Sequence, residues 1–142
     1  MYEKCTRQAL PEKDYRELLG TALCVFNSNN AFVIEEILKE DANNQYNWYQ
    51  LIDLESGRLK DPIKKTINQK LNNTLIADLF DEVVTMRNRI IHSFQITDKD
   101  GMQKLATKDR NGVQFVITQK YLLDFIKKNE ELSTELHNFR GC

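Results

Sequence analysis

A chain of 142 residues with 41% hydrophobic and 29% charged side chains, five glycines and two prolines has the composition of one ordinary globular domain spanning residues 1–142. Lys and Arg total 20 against 21 Asp and Glu, a formal net charge of -1, which excludes a uniformly basic surface for a polyanion and requires any basic site to be local. Cys5, Cys24 and Cys142 are odd in number and far apart, which suits neither a disulfide framework nor a zinc site and points to a reducing compartment. The opening Met-Tyr-Glu-Lys-Cys lacks the basic-then-apolar pattern of a signal peptide. The longest uncharged stretch, Leu18 to Ile34, is interrupted by Asn27-Ser28-Asn29-Asn30 and falls short of the roughly 18 apolar residues of a spanning helix, so a cytoplasmic protein with no membrane partner is expected.

Pro11 with Glu12 and Asp14 predicts the first turn of a helix, with proline where its missing N–H is harmless and acids at the positive dipole end. Leu18, Leu19, Ala22, Leu23, Val25 and Phe26 continue it at helical spacing. Asn27 to Asn30 offers N-caps for a second helix over Ala31–Lys39, separate from the first or fused to it through a kink. After a polar loop at Asp41–Asn44, Tyr46, Trp48, Tyr49, Leu51, Ile52 and Leu54 predict a short aromatic helix ended by Gly57. Asp61-Pro62 reads as the N-cap and first position of the next helix, with Ile63, Ile67 and Leu71 on its stripe. Asn72-Asn73-Thr74 either caps a new helix or is crossed by a long one, and Leu75 to Phe94 is the strongest helix in the chain.

Past this helix the period shortens to alternation. Asn111-Gly112, between Gln103–Lys108 and Val113–Thr118, predicts a β-hairpin over about residues 103–118 with a type I′ turn. From Gln119 to Phe139 the helical period returns, with Tyr121, Leu122, Phe125, Ile126, Leu132, Leu136 and Phe139 on one stripe. The predicted fold class is all-α, a helical bundle with one inserted hairpin.

One residue breaks the pattern. Ile76, Phe80, Val83, Arg87, Ile90 and Phe94 step by three and four along one face of the strongest helix, and five of the six are large and apolar. A guanidinium cannot shed its charge, so burying Arg87 costs several kcal/mol unless acceptors meet it, and local conflicts of this kind tend to mark functional sites. Beside that face, at about 100° per residue, Asp81, Thr85, Asn88 and His92 form a polar strip on which Asn88 and His92 are one turn apart. A cleft along the border would present guanidinium, carboxamide and imidazole together. The competing structural reading of Arg87 is a salt bridge inside the bundle to Glu35, Glu36 or Asp53.

In Arg87-Asn88-Arg89-Ile90-Ile91-His92 the chain resembles the HEPN superfamily, whose hallmark is an Arg, a polar residue often Asn, about three further residues and a His, late in a long helix of an all-helical bundle. The architectural likeness covers about residues 11–139, and the motif only Arg87 to His92; the hairpin is an addition that many members lack. The resemblance implies a HEPN-like bundle and a homodimer in which two motifs face each other. It also implies a metal-independent endoribonuclease of the toxin or phage-defence type, with Arg87, Asn88 and His92 as catalytic residues. RNA would be the substrate, an antitoxin or defence-system protein a further partner, and no cofactor or metal is expected. The alternative is a catalytically inactive HEPN-like module that binds RNA, a nucleotide or a partner protein.

The remaining candidates carry blander readings. Arg58, Lys60, Lys64, Lys65 and Lys70, with Lys104, Lys108 and Arg110 on the hairpin, would track an RNA backbone or, as most surface lysines do, simply solvate the fold. Tyr46, Trp48 and Tyr49 read as core rather than as a base-stacking platform, His137 as structural, Cys24 as core and Cys142 as a frayed terminus. His92 and His137 are far apart and no acid–cysteine cluster accompanies either, so no metal site is predicted.

Overall fold

The computed structural model describes residues 2–141; Cys142 lies outside them. Six α-helices and one three-stranded antiparallel sheet make up the regular structure of these residues, with short 3-10 turns at Tyr2–Cys5 and Ser56–Leu59. The helices are α1 (Lys13–Glu40), α2 (Trp48–Asp53), α3 (Lys60–Lys65), α4 (Ile67–Leu71), α5 (Leu75–Ile91) and α6 (Gln119–Arg140), and the strands are β1 (Phe94–Thr97), β2 (Gln103–Lys108) and β3 (Gln114–Ile117). Among the described residues no helix is long and apolar enough to cross a membrane.

The frame is a three-helix packing. α1 and α6 run parallel, as their matched contacts show: the Phe26 and Phe125 rings stack at 6.2 Å, Asn29 meets Asn129, and Glu36 meets Arg140. α5 runs antiparallel to α6, with Glu82 paired to Lys128 and the Met86 carbonyl accepting from the Tyr121 hydroxyl. Buried Phe26, Val33, Ile34, Ile37, Phe80, Val83, Phe125 and Leu132 fill the space between them.

The Asn27–Asn30 segment neither breaks nor caps α1, which is one helix of 28 residues. Local side-chain capping loses here to tertiary partners. Asn29 is buried, and its Nδ2 donates to the Asn129 carbonyl (2.8 Å) and Oδ1 (3.1 Å), while Asn30 Oδ1 accepts from the Ser56 hydroxyl (3.0 Å). Gly57 does not end α2; Leu54, in extended conformation, does, and Gly57 lies in the following 3-10 turn. α3 likewise starts one residue before Asp61, so Asp61 and buried Pro62 lie inside its first turn and Asp61 pairs with Lys65 instead of capping. Asn72 closes α4 in the left-handed region (φ 58°), and Asn73 Oδ1 receives the Leu75 N–H, so a new helix begins at Leu75.

The strongest helix is shorter than its apolar pattern. It ends at Ile91 with His92 as C-cap, and Phe94 opens β1 instead of completing the helical stripe. The Ser93 hydroxyl donates to the Ile90 carbonyl (2.6 Å) and satisfies a helix-end acceptor, after which Phe94, Gln95, Ile96 and Thr97 pair with Ala106, Leu105, Lys104 and Gln103. The inserted hairpin is therefore two strands of a three-stranded meander in the order β1-β2-β3.

Both of its turns have one construction. Asp98 Oδ1 accepts from the N–H groups of Asp100 and Met102 while Gly101 sits at φ 80°, and Asp109 Oδ1 accepts from Asn111 and Val113 while Gly112 sits at φ 81°. Asn111 does not share the positive φ, so the turn is not type I′; it is a longer Asp-x-x-Gly loop in which the aspartate replaces the second left-handed residue as the organiser.

A Cβ at position 112 would meet no atom within 4 Å, so substitution there is opposed by the backbone alone. Gly112→Val is expected to lower unfolding free energy by about 1–3 kcal/mol, with the helical circular dichroism signal retained. A thermal melt, in which each kcal/mol moves the midpoint by about 2–4 °C for a domain this size, reads the loss directly.

Candidate functional site

Residues from the motif on α5 sit where that helix meets the sheet. α5 is started by Thr74, whose hydroxyl donates to Asp78 Oδ2 (2.9 Å), and is pressed to α1 and α6 by buried Ile76, Phe80, Val83, Val84 and Ile90. At its other end the His92 N–H donates to the Asn88 carbonyl (2.9 Å) and the His92 carbonyl accepts from Thr107 Oγ1 on β2 (3.4 Å). The helix terminus is thereby fixed to the sheet through backbone atoms, leaving the imidazole exposed to solvent.

Arg87 continues the apolar stripe inward. Its guanidinium carbon lies 5.2 Å from the centroid of buried Phe26 on α1, a cation–π contact, and its Nε is buried without a hydrogen-bond partner. The internal salt bridge of the competing reading is not formed. Glu35 and Glu36 instead receive Arg140, at 2.9 and 2.6 Å, and Asp53 stays exposed on α2. An unpaired N–H in such a place costs about 1–3 kcal/mol, a cost set against the cation–π contact with Phe26.

Asn88 turns the other way, into a groove of about 420 Å³ between α5 and the β2–β3 turn. Asp81, Thr85 and Asn88, three of the four residues of the polar strip, form its helical wall. Arg110 and Asn111 on the turn, with half-buried Phe115 on β3, form the opposite wall. His92 lines neither wall. The motif residues thus share about one and a half turns of helix and three surroundings: Arg87 against Phe26, Asn88 in the groove, His92 at the exposed helix end between exposed Ile91 and Phe94.

Arg89, Asp109, Arg110, Asn111 and Phe115 are the groove residues that lie off the polar strip. The Arg89 Nη1 donates to the Lys108 carbonyl and so clasps α5 to the end of β2. The signal was in the sequence as the second Asp-x-x-Gly unit, which fixes where Arg110 is presented.

The other candidates fall in several places. Lys65, Lys70 and Lys104 are ion-paired to Asp61, Glu40 and Asp98. Tyr46 and Trp48 pack against the core, whereas Tyr49 is 80% exposed. Cys24 is exposed, not core, because it lies on the face of α1 turned from α6. His137 meets the Phe32 ring edge-on at 4.8 Å, a packing role. Burial pushes the Tyr15 and Tyr121 phenols up from their ordinary range. Among the described residues no three His, Cys, Asp or Glu side chains group as a metal site.

Comparison with models of protein families, with curated proteins and with solved structures finds no match to this chain.

Because its Nε is unsatisfied, Arg87 is expected to be replaceable without loss of fold. Arg87→Met, which keeps the stem and removes the charge, is expected to leave unfolding free energy unchanged or to raise it by about 1–2 kcal/mol in urea titrations. A drop of similar size would instead make the residue structural.

Proposed function

We propose that the chain is a cytoplasmic HEPN-type bundle acting as a metal-independent endoribonuclease, of the toxin or phage-defence kind, in a twofold homodimer with an antitoxin or defence-system protein as a further partner. The observation that carries this reading is Arg87: an unpaired cation on a buried stripe, within the Arg87–His92 motif that resembles HEPN nucleases. Two neighbouring facts support it. His92 is exposed and committed to no contact through its ring, and the Ile91 and Phe94 side chains beside it are 45% and 47% exposed, as suits a surface closed by a second copy.

The chemistry asks for these residue types. The 2′-hydroxyl of RNA attacks the adjacent phosphorus, its proton passing to a base; the P–O5′ bond breaks as an acid protonates the leaving 5′-oxygen, and a 2′,3′-cyclic phosphate remains. An imidazole serves either proton role at neutral pH. One His92 per chain makes one role, so a twofold axis supplies the pair. Arg87 provides fixed donors for the phosphate oxygens as charge builds, and Asn88 holds a phosphate oxygen or the substrate.

One observation favours a second reading, a non-catalytic module that binds RNA, a nucleotide or a protein: the groove collects Asp81, Asn88 and Arg110 and leaves out both Arg87 and His92. Incubation of the purified protein with single-stranded RNA in EDTA separates the two. Cleavage with 2′,3′-cyclic phosphate ends is expected, DNA is spared for want of a 2′-hydroxyl, and His92→Ala, verified as folded, slows the reaction by about two orders of magnitude. Light scattering is expected to return twice the 16.7 kDa chain mass. Full activity in His92→Ala, or a strict magnesium requirement, removes the mechanism; no cleavage of any RNA transfers the assignment to the binding module.

A further inference from the structure

The groove between α5 and the β2–β3 turn has a chemistry of its own. Its volume of about 420 Å³ falls in the range of about 300–1,000 Å³ typical of small-molecule sites. Two of its charged residues are already spent on scaffolding. Asp109 organises the turn through two backbone N–H groups, and Arg89 clasps the Lys108 carbonyl. What remains uncommitted is one carboxylate, Asp81, one guanidinium, Arg110, and two carboxamides, Asn88 on the helical wall and Asn111 on the turn. Beside them stands Phe115, whose ring meets Tyr121 on one side at 5.7 Å and contributes to the groove wall.

We propose that this groove is a nucleotide pocket selective for guanine, the base-reading subsite for single-stranded RNA. The assignment rests on the ribonuclease reading for its RNA context, but not for its binding chemistry. An aromatic face stacks any base and favours the larger purines. Selection comes from Asp81. An ionised carboxylate only accepts, and its two oxygens match two adjacent donors. Guanine offers such a pair on its Watson–Crick edge, N1–H and N2–H. Adenine and cytosine place a ring acceptor beside their single amino group, which a carboxylate repels, and uracil flanks its one N–H with two carbonyls. Asn88 supplies a donor for guanine O6, and Arg110, exposed on the rim, supplies charge for a phosphate.

Titration of the full chain with 5′-GMP, 5′-AMP, 5′-CMP and 5′-UMP, followed by amide chemical shifts, tests the pocket without requiring catalysis. GMP is expected to shift the amides of Asn88 and of Arg110–Gly112 and to bind at least about fivefold more tightly than the other three. Asp81→Asn, an exposed and isosteric change, is expected to remove that preference; Arg110→Ala is expected to weaken all four nucleotides by a similar factor, about threefold or more. His92→Ala is expected to bind GMP as the unaltered protein does. Equal affinity for the four bases, a preference that survives Asp81→Asn, shifts confined to another surface or no saturable shift would each overturn the proposal. The two readings fail separately: GMP binding without RNA cleavage removes the nuclease and leaves the pocket, and cleavage without GMP preference does the reverse.

Discussion

The parallel pairing of α1 with α6 is the constraint on which the other elements depend. Parallel helices cannot be joined by a short loop, so the chain between Asp41 and Thr118 must travel back along the bundle and return, and α5 is the helix that makes the return. The pairing is held at three levels: Phe26 on Phe125, the buried Asn29–Asn129 amides, and Glu36, 1% exposed, against Arg140. The asparagine pair fixes register rather than adding much net stability. A one-residue slip would leave buried amides without partners, each at a cost of about 1–3 kcal/mol, and this penalises every alternative alignment.

The position of the sheet follows from that frame. Tyr15, near the start of α1, is buried and inserts its hydroxyl between the paired residues Leu105 and Ile117, accepting from the Leu105 N–H (3.1 Å) and donating to the Ile117 carbonyl (2.5 Å). One phenol thus relays a ladder bond and ties the meander to the bundle. With Thr107 bound to the His92 carbonyl and Arg89 to Lys108, the sheet is attached at three points around the end of α5. The groove lies beside the last of these attachments, with Arg89 among its lining residues, and its walls come from a helix face and a turn that are distant in sequence.

How much of this could be read from the residues depended on whether a signal was local. Helical periodicity located α1, α5 and α6, because each buries one stripe and polar residues cover the rest. The Asn27–Asn30 cluster misled because its amides find partners on α6, a tertiary fact with no local trace. Phe94 misled differently: it sits at a helical interval from Ile90, yet the helix closes at His92 with the Ser93 hydroxyl on the Ile90 carbonyl, and the residues after it alternate for only four positions, too few to outweigh the period before them. The repeated Asp-x-x-Gly at Asp98–Gly101 and Asp109–Gly112 was the usable signal for β1, since two identical turns imply three strands. The polar strip of Asp81, Thr85 and Asn88 was legible as a surface, while its opposite wall, Arg110 and Phe115, required the meander to be folded over it.

Arg87 and Asp81 show two ways in which one helix can carry charge. Asp81 is exposed on the groove wall, where a charge costs the fold little. Arg87 lies inward with a buried N–H that no atom of the described chain satisfies, and a methionine of similar length would pack on Phe26 without that cost. The unpaired N–H and the contact with Phe26 act in opposite directions on stability, so Arg87 is the point on the stripe where packing and charge conflict. The parallel α1–α6 frame is strong enough to tolerate that conflict at one end of α5, and the conflict sits beside the groove, where the adjacent residue Asn88 already faces outward. Packing and exposure are divided around this helix and not along it: Ile76, Phe80, Val83, Val84 and Ile90 face the bundle over its whole length, while Asp81, Thr85 and Asn88 line the groove on another face.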